Sequence, residues 1–443
     1  MKELNTLDQL FSTRIFRIPD YQRGFAWQKK QLIDFWEDIL NLDDERFHYT
    51  GVITIKMVPK DKWQLWNDEK WLIESRGTLP CFVVDGQQRL TTISILLKCL
   101  SDIIFDTSTG NSKKEDEIYL ESYSLKEINE KYISITQPPN HLVRAYKFGY
   151  ETDNPSFKFL RHKIFGEPDS GTIKETFYTL NLENAYNFFK ENLSILYRNQ
   201  GEAGLKSVFN RVTQRLMFNI YEIEDEFDVF VAFETMNNRG KKLSDLELLK
   251  NRLIYLTTLY SSKEVPENEK VKTRNTINDA WAEVYYQLGR NKNHPLNDDE
   301  FLKAHWIMYF KYSRKKGDDY IRFLLDEQFN PKKVLEKVQV ETNSMQDVLD
   351  LWEDEPGLED DDLEEDEPIV QTKSKLSINE INKYVLSLQE SAKHWYNTYN
   401  PLSDNGLANN EPILIDRLNR IGIGYFRPLI MSLFCTEEID TTE

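Results

Sequence analysis

Pro80-Cys81-Phe82-Val83-Val84-Asp85-Gly86-Gln87-Gln88-Arg89-Leu90-Thr91-Thr92 reads as a buried strand, a tight polar turn and the start of a helix. The first five residues are apolar and partly β-branched, as a buried strand requires. Past the turn, Leu90, Ile93, Leu96, Leu97 and Leu100 recur at helical spacing. A helix start carries free backbone N–H groups and the positive end of the dipole, and so attracts phosphate. Arg89 adds a planar donor fork that suits phosphate oxygens. Asp85 can hold a cation or orient a water, and Gln87 and Gln88 can direct a nucleophile without adding charge. The pattern predicts a nucleotide site. Asp-Gly after a strand is also a common turn, and Arg can simply cap a loop, so spacing alone leaves a structural reading open.

Working outward, Ile15-Phe16-Arg17-Ile18 predicts a strand ended by Pro19, followed by a helix with Leu32, Phe35, Trp36, Ile39 and Leu40 on one face. His48–Ile55 and Met217–Ile223 predict further strands. Lys60 to Thr78 reads as a polar, Trp-bearing hairpin or loop, and 106–116 as a surface loop. From about Leu246 the pattern is mostly helical. Leu246, Leu249, Leu253 and Leu256 share a face, and Ser244 with Glu247 forms a capping-box spacing that Ser377 and Glu380 repeat. Phe301–Tyr312 and Ile413–Phe434 are further helical candidates. The fold class is α+β: an N-terminal mixed α/β domain over 1–260 and a mainly α-helical domain over 261–443.

At 443 residues the chain has ample core for two or three domains. Its N-terminus has no signal-peptide pattern, and no stretch approaches the roughly 20 apolar residues that span a bilayer. The three cysteines, Cys81, Cys99 and Cys435, are too scattered for a disulfide framework or a zinc site. The six histidines show no metal-ligand spacing. A cytoplasmic protein is expected. The net charge of −18 argues against a general DNA-coating surface. Between Glu353 and Glu367, however, lie eleven acidic residues and no basic one, and setting that run aside leaves −7. The run predicts a solvated acidic loop, and a DNA-mimicking role is the lesser alternative. The chain lacks both a Gly-x-x-x-x-Gly-Lys-Ser/Thr element and a Gly-x-Ser-x-Gly elbow, so an NTP site here is not a P-loop.

Two more polar motifs stand out. In Ile18-Pro19-Asp20-Tyr21-Gln22-Arg23-Gly24-Phe25-Ala26-Trp27, Tyr21 offers a ring and a hydroxyl, Gln22 can donate and accept, and Arg23 can grip phosphate. Phe25 and Trp27 read as core anchors, and Arg23 also fits a buried ion pair. In Phe233–Ser244, Asn237, Asn238 and Arg239 fall between two predicted helices, where they can converge on a ligand or make an ordinary interhelical turn.

Taken in order, Ile18–Trp27, His48–Ile55, Val84–Thr92 and Phe233–Asn251 resemble the N-terminal module of GmrSD-type modification-dependent restriction proteins, a family that includes SspE-type phosphorothioate-sensing proteins. That module resembles the ParB/sulfiredoxin-like fold. The resemblance implies an NTP-binding and NTP-hydrolysing sensor of an antiphage restriction system, using Mg2+ and a nucleoside triphosphate. It implies recognition of modified DNA, such as phosphorothioated or glucosylated DNA. Asp85 would be the catalytic or metal-orienting carboxylate, with Gln87, Gln88 and Arg89 sharing catalysis. Gly86 to Arg89 would form the phosphate-facing turn, with Thr91 and Thr92 behind it. Tyr21, Gln22 and Arg23 would border the pocket and touch DNA, and Asn238 and Arg239 would close it. No cysteine sits in the Asp85 turn, which argues against the sulfiredoxin reaction. No His-Asn-His-type nuclease signature is found, so cleavage is expected from a partner domain or subunit. A homodimer is the family-level expectation. The alternative is a non-catalytic module that binds a nucleotide or a modified base as a structural switch.

Overall fold

The computed structural model describes residues 4–19, 22–43, 45–108, 114–152, 154, 156–168, 173, 175–223, 244–311, 319–342, 369–403, 410–422 and 424–440. Tyr21, Asn237, Asn238, Arg239 and the acidic run 353–367 lie outside the described residues. The chain forms two compact units, Met1–Asp228 with Trp281–Asn297, and Val229–Ala280 with Asp298–Glu443.

The main sheet of the first unit has six strands: β1 (Leu4–Thr6), β2 (Arg14–Ile18), β3 (His48–Met57), β4 (Leu79–Asp85), β5 (Phe148–Tyr150) and β6 (Leu216–Ile223). Their order in the sheet is β1-β6-β3-β4-β2-β5. β4 lies antiparallel to β3 and parallel to β2, so it is central, with neighbours on both edges. That position explains its apolar run: Cys81, Val83 and Val84 are buried.

Five helices complete the N-terminal half of this unit: α1 (Leu7–Thr13), α2 (Lys29–Leu40), α3 (Lys60–Trp63), α4 (Lys70–Arg76) and α5 (Gln87–Thr107). Helix α2 buries Leu32, Phe35, Trp36 and Ile39 as its spacing predicts. Leu40 is exposed, because one residue past Ile39 it has rotated out of the buried stripe. Helix α5 buries residues all round, from Leu90 and Ile93 to Ile103 and Ile104, and packs against α6 (Phe177–Asn210, interrupted at Gly201). Each fully buried leucine or isoleucine there contributes about 1.5–3 kcal/mol.

The expected hairpin or loop at Lys60–Thr78 is instead the pair of short helices α3 and α4. Leu72 and Ile73 bury against Ile15, Ile135 and Ala145, and Trp63, Trp66 and Trp71 pack around them. Tertiary burial of the tryptophans overrides the polar local composition. The loop expected from 106 starts later, since α5 continues to Thr107.

Lys147, the residue before β5, is 7% exposed, and its Nζ donates to the Phe11 carbonyl at 3.3 Å. Burial pushes its pKa down to about 8, and the nearby Arg76 and Lys131 charges add to this. A lysine with a lowered folded pKa destabilises the fold while it is charged, and the penalty fades as pH rises from about 8 to the unfolded value near 10.4. Lys147→Met is therefore expected to stabilise the protein at pH 7 by roughly 1–3 kcal/mol. The full linkage gain is offset in part by the Phe11 carbonyl left without its donor. Urea unfolding at pH 7 and pH 10 checks this, and a gain that does not shrink at the higher pH would refute it.

The second unit is mainly helical: α7 (Asp245–Leu259), α8 (Asp298–Tyr309), α9 (Ile378–Tyr399), α10 (Glu411–Arg420) and α11 (Arg427–Asp440), with an antiparallel pair Lys337–Thr342 and Ile369–Ser374. Both predicted capping boxes are made: Ser244 with Glu247 and Ser377 with Glu380. Leu246, Leu249, Leu253 and Leu256 are fully buried. The helix expected over Ile413–Phe434 is broken into α10 and α11, with Gly422 at positive φ where the first ends. No helix among the described residues is long and apolar enough to cross a membrane.

Candidate functional site

Strand β4 ends at Asp85, and Gly86 turns the chain into α5 with φ 90° and ψ 5°. Residues with a Cβ rarely adopt that conformation. An added Cβ would also sit 3.2 Å from Ile53 Cγ1 and 3.4 Å from the Val52 carbonyl. Gly86→Ala is expected to cost about 1–3 kcal/mol, read from the denaturant midpoint, with Gly86→Asn milder. An alanine variant as stable as the native protein would rule out the strain.

Because Gly86 brings no capping side chain, the first N–H groups of α5 lack a side-chain cap. The Asp85 side chain stands just ahead of them, 47% exposed and 3.8 Å from Arg89. An exposed carboxylate followed by an uncapped helix start can hold a cation and a phosphate together. Among the described residues no group of three His, Cys, Asp or Glu is placed to hold a metal by itself. Asp85 suits an ion such as Mg2+, which takes one or two carboxylates and shares the rest of its shell with phosphate and water.

The other motif residues are mostly tied to backbone. Strand β3 bulges at Thr50, where Tyr49 and Gly51 face consecutive residues of β6. Arg89 donates to the carbonyls of Thr50 at 2.7 Å and Val52 at 2.6 Å. Gly51 (φ 120°) admits this approach, since a Cβ there would lie 2.1 Å from the guanidinium. Burial pushes the Arg89 pKa below its ordinary value, while Asp85 and Tyr49 push it back up.

A second bulge leaves Val84 unopposed between Val83 and Asp85. Gln22 Nε2 donates to the carbonyls of Val83 at 3.1 Å and Val84 at 3.0 Å. Gln88 grips the Gln22–Trp27 segment, a strap over the turn, from the helix side. Its Oε1 accepts from Ala26 N–H at 2.7 Å, and its Nε2 donates to the Gly24 carbonyl at 3.2 Å. The structure thus brings the Gln22–Trp27 and Asp85–Arg89 motifs together. Arg23 lies half-buried on this strap. Phe25 is fully buried and Trp27 packs against the core, as expected of anchors.

Thr91 and Thr92 are fully buried, and their hydroxyls donate back to the Gln87 and Gln88 carbonyls at 2.8 Å. They brace the first turn of α5 from within. Gln87 Oε1 and Gln22 Oε1 are buried with no hydrogen-bond partner among the described residues. Cys81 is buried on β4, and burial pushes its thiol up to about 12, so it supplies no nucleophile.

Sequence reading did not anticipate Asn154 and Asn181. Asn154 Nδ2 donates to the Gln22 carbonyl at 3.2 Å, and Asn181 Nδ2 to the Phe25 carbonyl at 3.1 Å. Both are single buried asparagines with no motif around them. Gly51, a lone glycine inside a strand pattern, was the one local signal of a bulge.

Residues 7–254 match the family described as GmrSD restriction endonuclease, N-terminal domain. No curated protein matches the chain.

Proposed function

The chain belongs to the GmrSD restriction endonuclease N-terminal domain family, and on that premise we propose that this restriction-system module binds and hydrolyses a nucleoside triphosphate in the cytoplasm. In this reading it recognises modified DNA, phosphorothioated or glucosylated for example, and regulates an associated nuclease in antiphage defence.

The observation that carries the reading is the half-exposed Asp85 carboxylate placed ahead of the uncapped start of α5. Phosphate oxygens meet the free N–H groups of that helix start. Asp85 would hold Mg2+, which would supply charge neutralisation to the phosphates when bound. Gln88 has both ends of its carboxamide engaged by the strap, whereas Gln87 Oε1 is buried with no partner among the described residues, so Gln87 is the carboxamide with an acceptor left to orient a water. Arg89 acts by holding β3 against the turn and adds positive charge beside Asp85. Arg23 extends this polar edge from the strap, where modified DNA is sensed together with Tyr21 and Gln22. Asn238 and Arg239 close the nucleotide site.

The engagement of Gln22, Gln88 and Arg89 with backbone favours a second reading, a binding switch without turnover. Phosphate release from the four NTPs with magnesium decides between them, measured without DNA, with plain DNA and with modified DNA. Turnover altered only by modified DNA supports the sensor. Binding without phosphate release in any condition replaces it with the switch.

A further inference from the structure

Between α2 and the β3 bulge, sharing Trp27, Thr50 and Arg89 with the site just described, lies a cavity of about 240 Å³. Its apolar lining is Trp27, Phe35, Ile39 and Leu216, and the Trp27 and Phe35 rings stand 6.0 Å apart at 58°. Asp34 and Asp38, one helical turn apart on α2, line it with His48 and Arg89. Both carboxylates are exposed, and neither has an ion-pair partner among the described residues. Like charges at this helical spacing repel, so the fold gains nothing from the pair.

The lining selects its ligand by chemistry. Aromatic and aliphatic walls favour a flat ring. The two carboxylates accept N–H donors and repel phosphate, while His48 and Arg89 complement ring acceptors. The volume falls below the roughly 300–1,000 Å³ of sites that enclose drug-sized molecules, so it suits one ring system and not a whole nucleotide.

We propose that this cavity is a nucleobase site that takes a single amino-bearing base, with Asp34 and Asp38 accepting from its N–H groups and Trp27 packing on the ring. The same ring chemistry occurs in a free nucleotide and in a base turned out of a strand. The inference extends the proposed handling of nucleotides and DNA, but it concerns binding and not turnover.

The test titrates the full chain with AMP, CMP and UMP, and separately with single-stranded oligo-dA, oligo-dC and oligo-dT, following heat and Trp fluorescence. Amino-bearing ligands are expected to bind at least about tenfold more tightly than UMP or oligo-dT. Discrimination among the monophosphates identifies a free-nucleotide source, and discrimination among the oligonucleotides alone identifies a base presented by a strand. The Asp34→Ala/Asp38→Ala double variant, altered only at exposed positions and left without the accepting oxygens, should keep its melting temperature and lose the preference. Equal affinity for all bases, absence of binding, or a preference that survives in the double variant overturns the proposal. Asp85→Ala should retain the preference. A chain that releases no phosphate but still discriminates bases would overturn the NTPase reading and leave this one standing.

Discussion

Alanine in place of Asp85 is expected to lower NTP turnover by at least about 10²-fold while the protein folds as before. The size follows from what preorganised charge contributes to a phosphoryl-transfer site. Asp85 is the half-exposed carboxylate directly ahead of the α5 start, and its removal takes away the proposed cation ligand. Little stability goes with it. Its ionic contact, to Arg89 at 3.8 Å, is part exposed and belongs to the class of pairs worth about 0–1 kcal/mol. Arg89 keeps its bonds to the Thr50 and Val52 carbonyls when Asp85 is gone. Phosphate release and thermal melting should be measured on the same preparation. Native turnover in a folded Asp85→Ala protein would sink the assignment of this residue. Asp85→Asn, which keeps the shape but not the charge, should resemble the alanine variant if charge is what matters.

Glu69→Ala should have the largest effect on stability, about 3–5 kcal/mol. Arg17 on β2 and Glu69 meet at 2.6 Å with side chains only 4% and 9% exposed. Arg17 also donates to the carbonyls of Phe16 at 2.8 Å and Tyr146 at 3.0 Å, and lies over the Trp66 ring. Removing the carboxylate leaves a guanidinium charge in a site closed to water, which costs far more than the intact pair is worth. Glu69→Gln should lose less, because an oxygen acceptor remains. Denaturant unfolding reads the difference, and a loss under about 1 kcal/mol for Glu69→Ala would show that water reaches Arg17. Since β2 is the neighbour of β4, a loosened Arg17 should also be felt at the Asp85 turn.

Much of the local architecture was legible in the residues. The apolar Pro80–Val84 run and the leucine spacing after Arg89 predicted β4 and α5, because strand and helix impose different periods on buried side chains. Ser244 with Glu247 and Ser377 with Glu380 predicted helix starts that are made, because a capping box needs only residues three apart. The α+β class and the family followed from the same stretches. Lys60–Thr78 misled because its polar composition hid tryptophans whose burial partners come from β2 and from residues 135–145. Within the candidate site, sequence singled out Gln22, Gln88 and Arg89 as polar residues able to meet a ligand. Tertiary structure decided that each first meets backbone. Gln22 and Arg89 satisfy carbonyls at two strand bulges, and Gln88 clasps the Gly24–Ala26 strap. Bulges arise from the register of paired strands, and the strap lies more than sixty residues from Gln88 in sequence. Period, caps and turn residues act over a few neighbours and so can be read along the chain. A buried carbonyl takes whichever donor the packed fold brings within about 3 Å, and only the folded chain determines which donor that is.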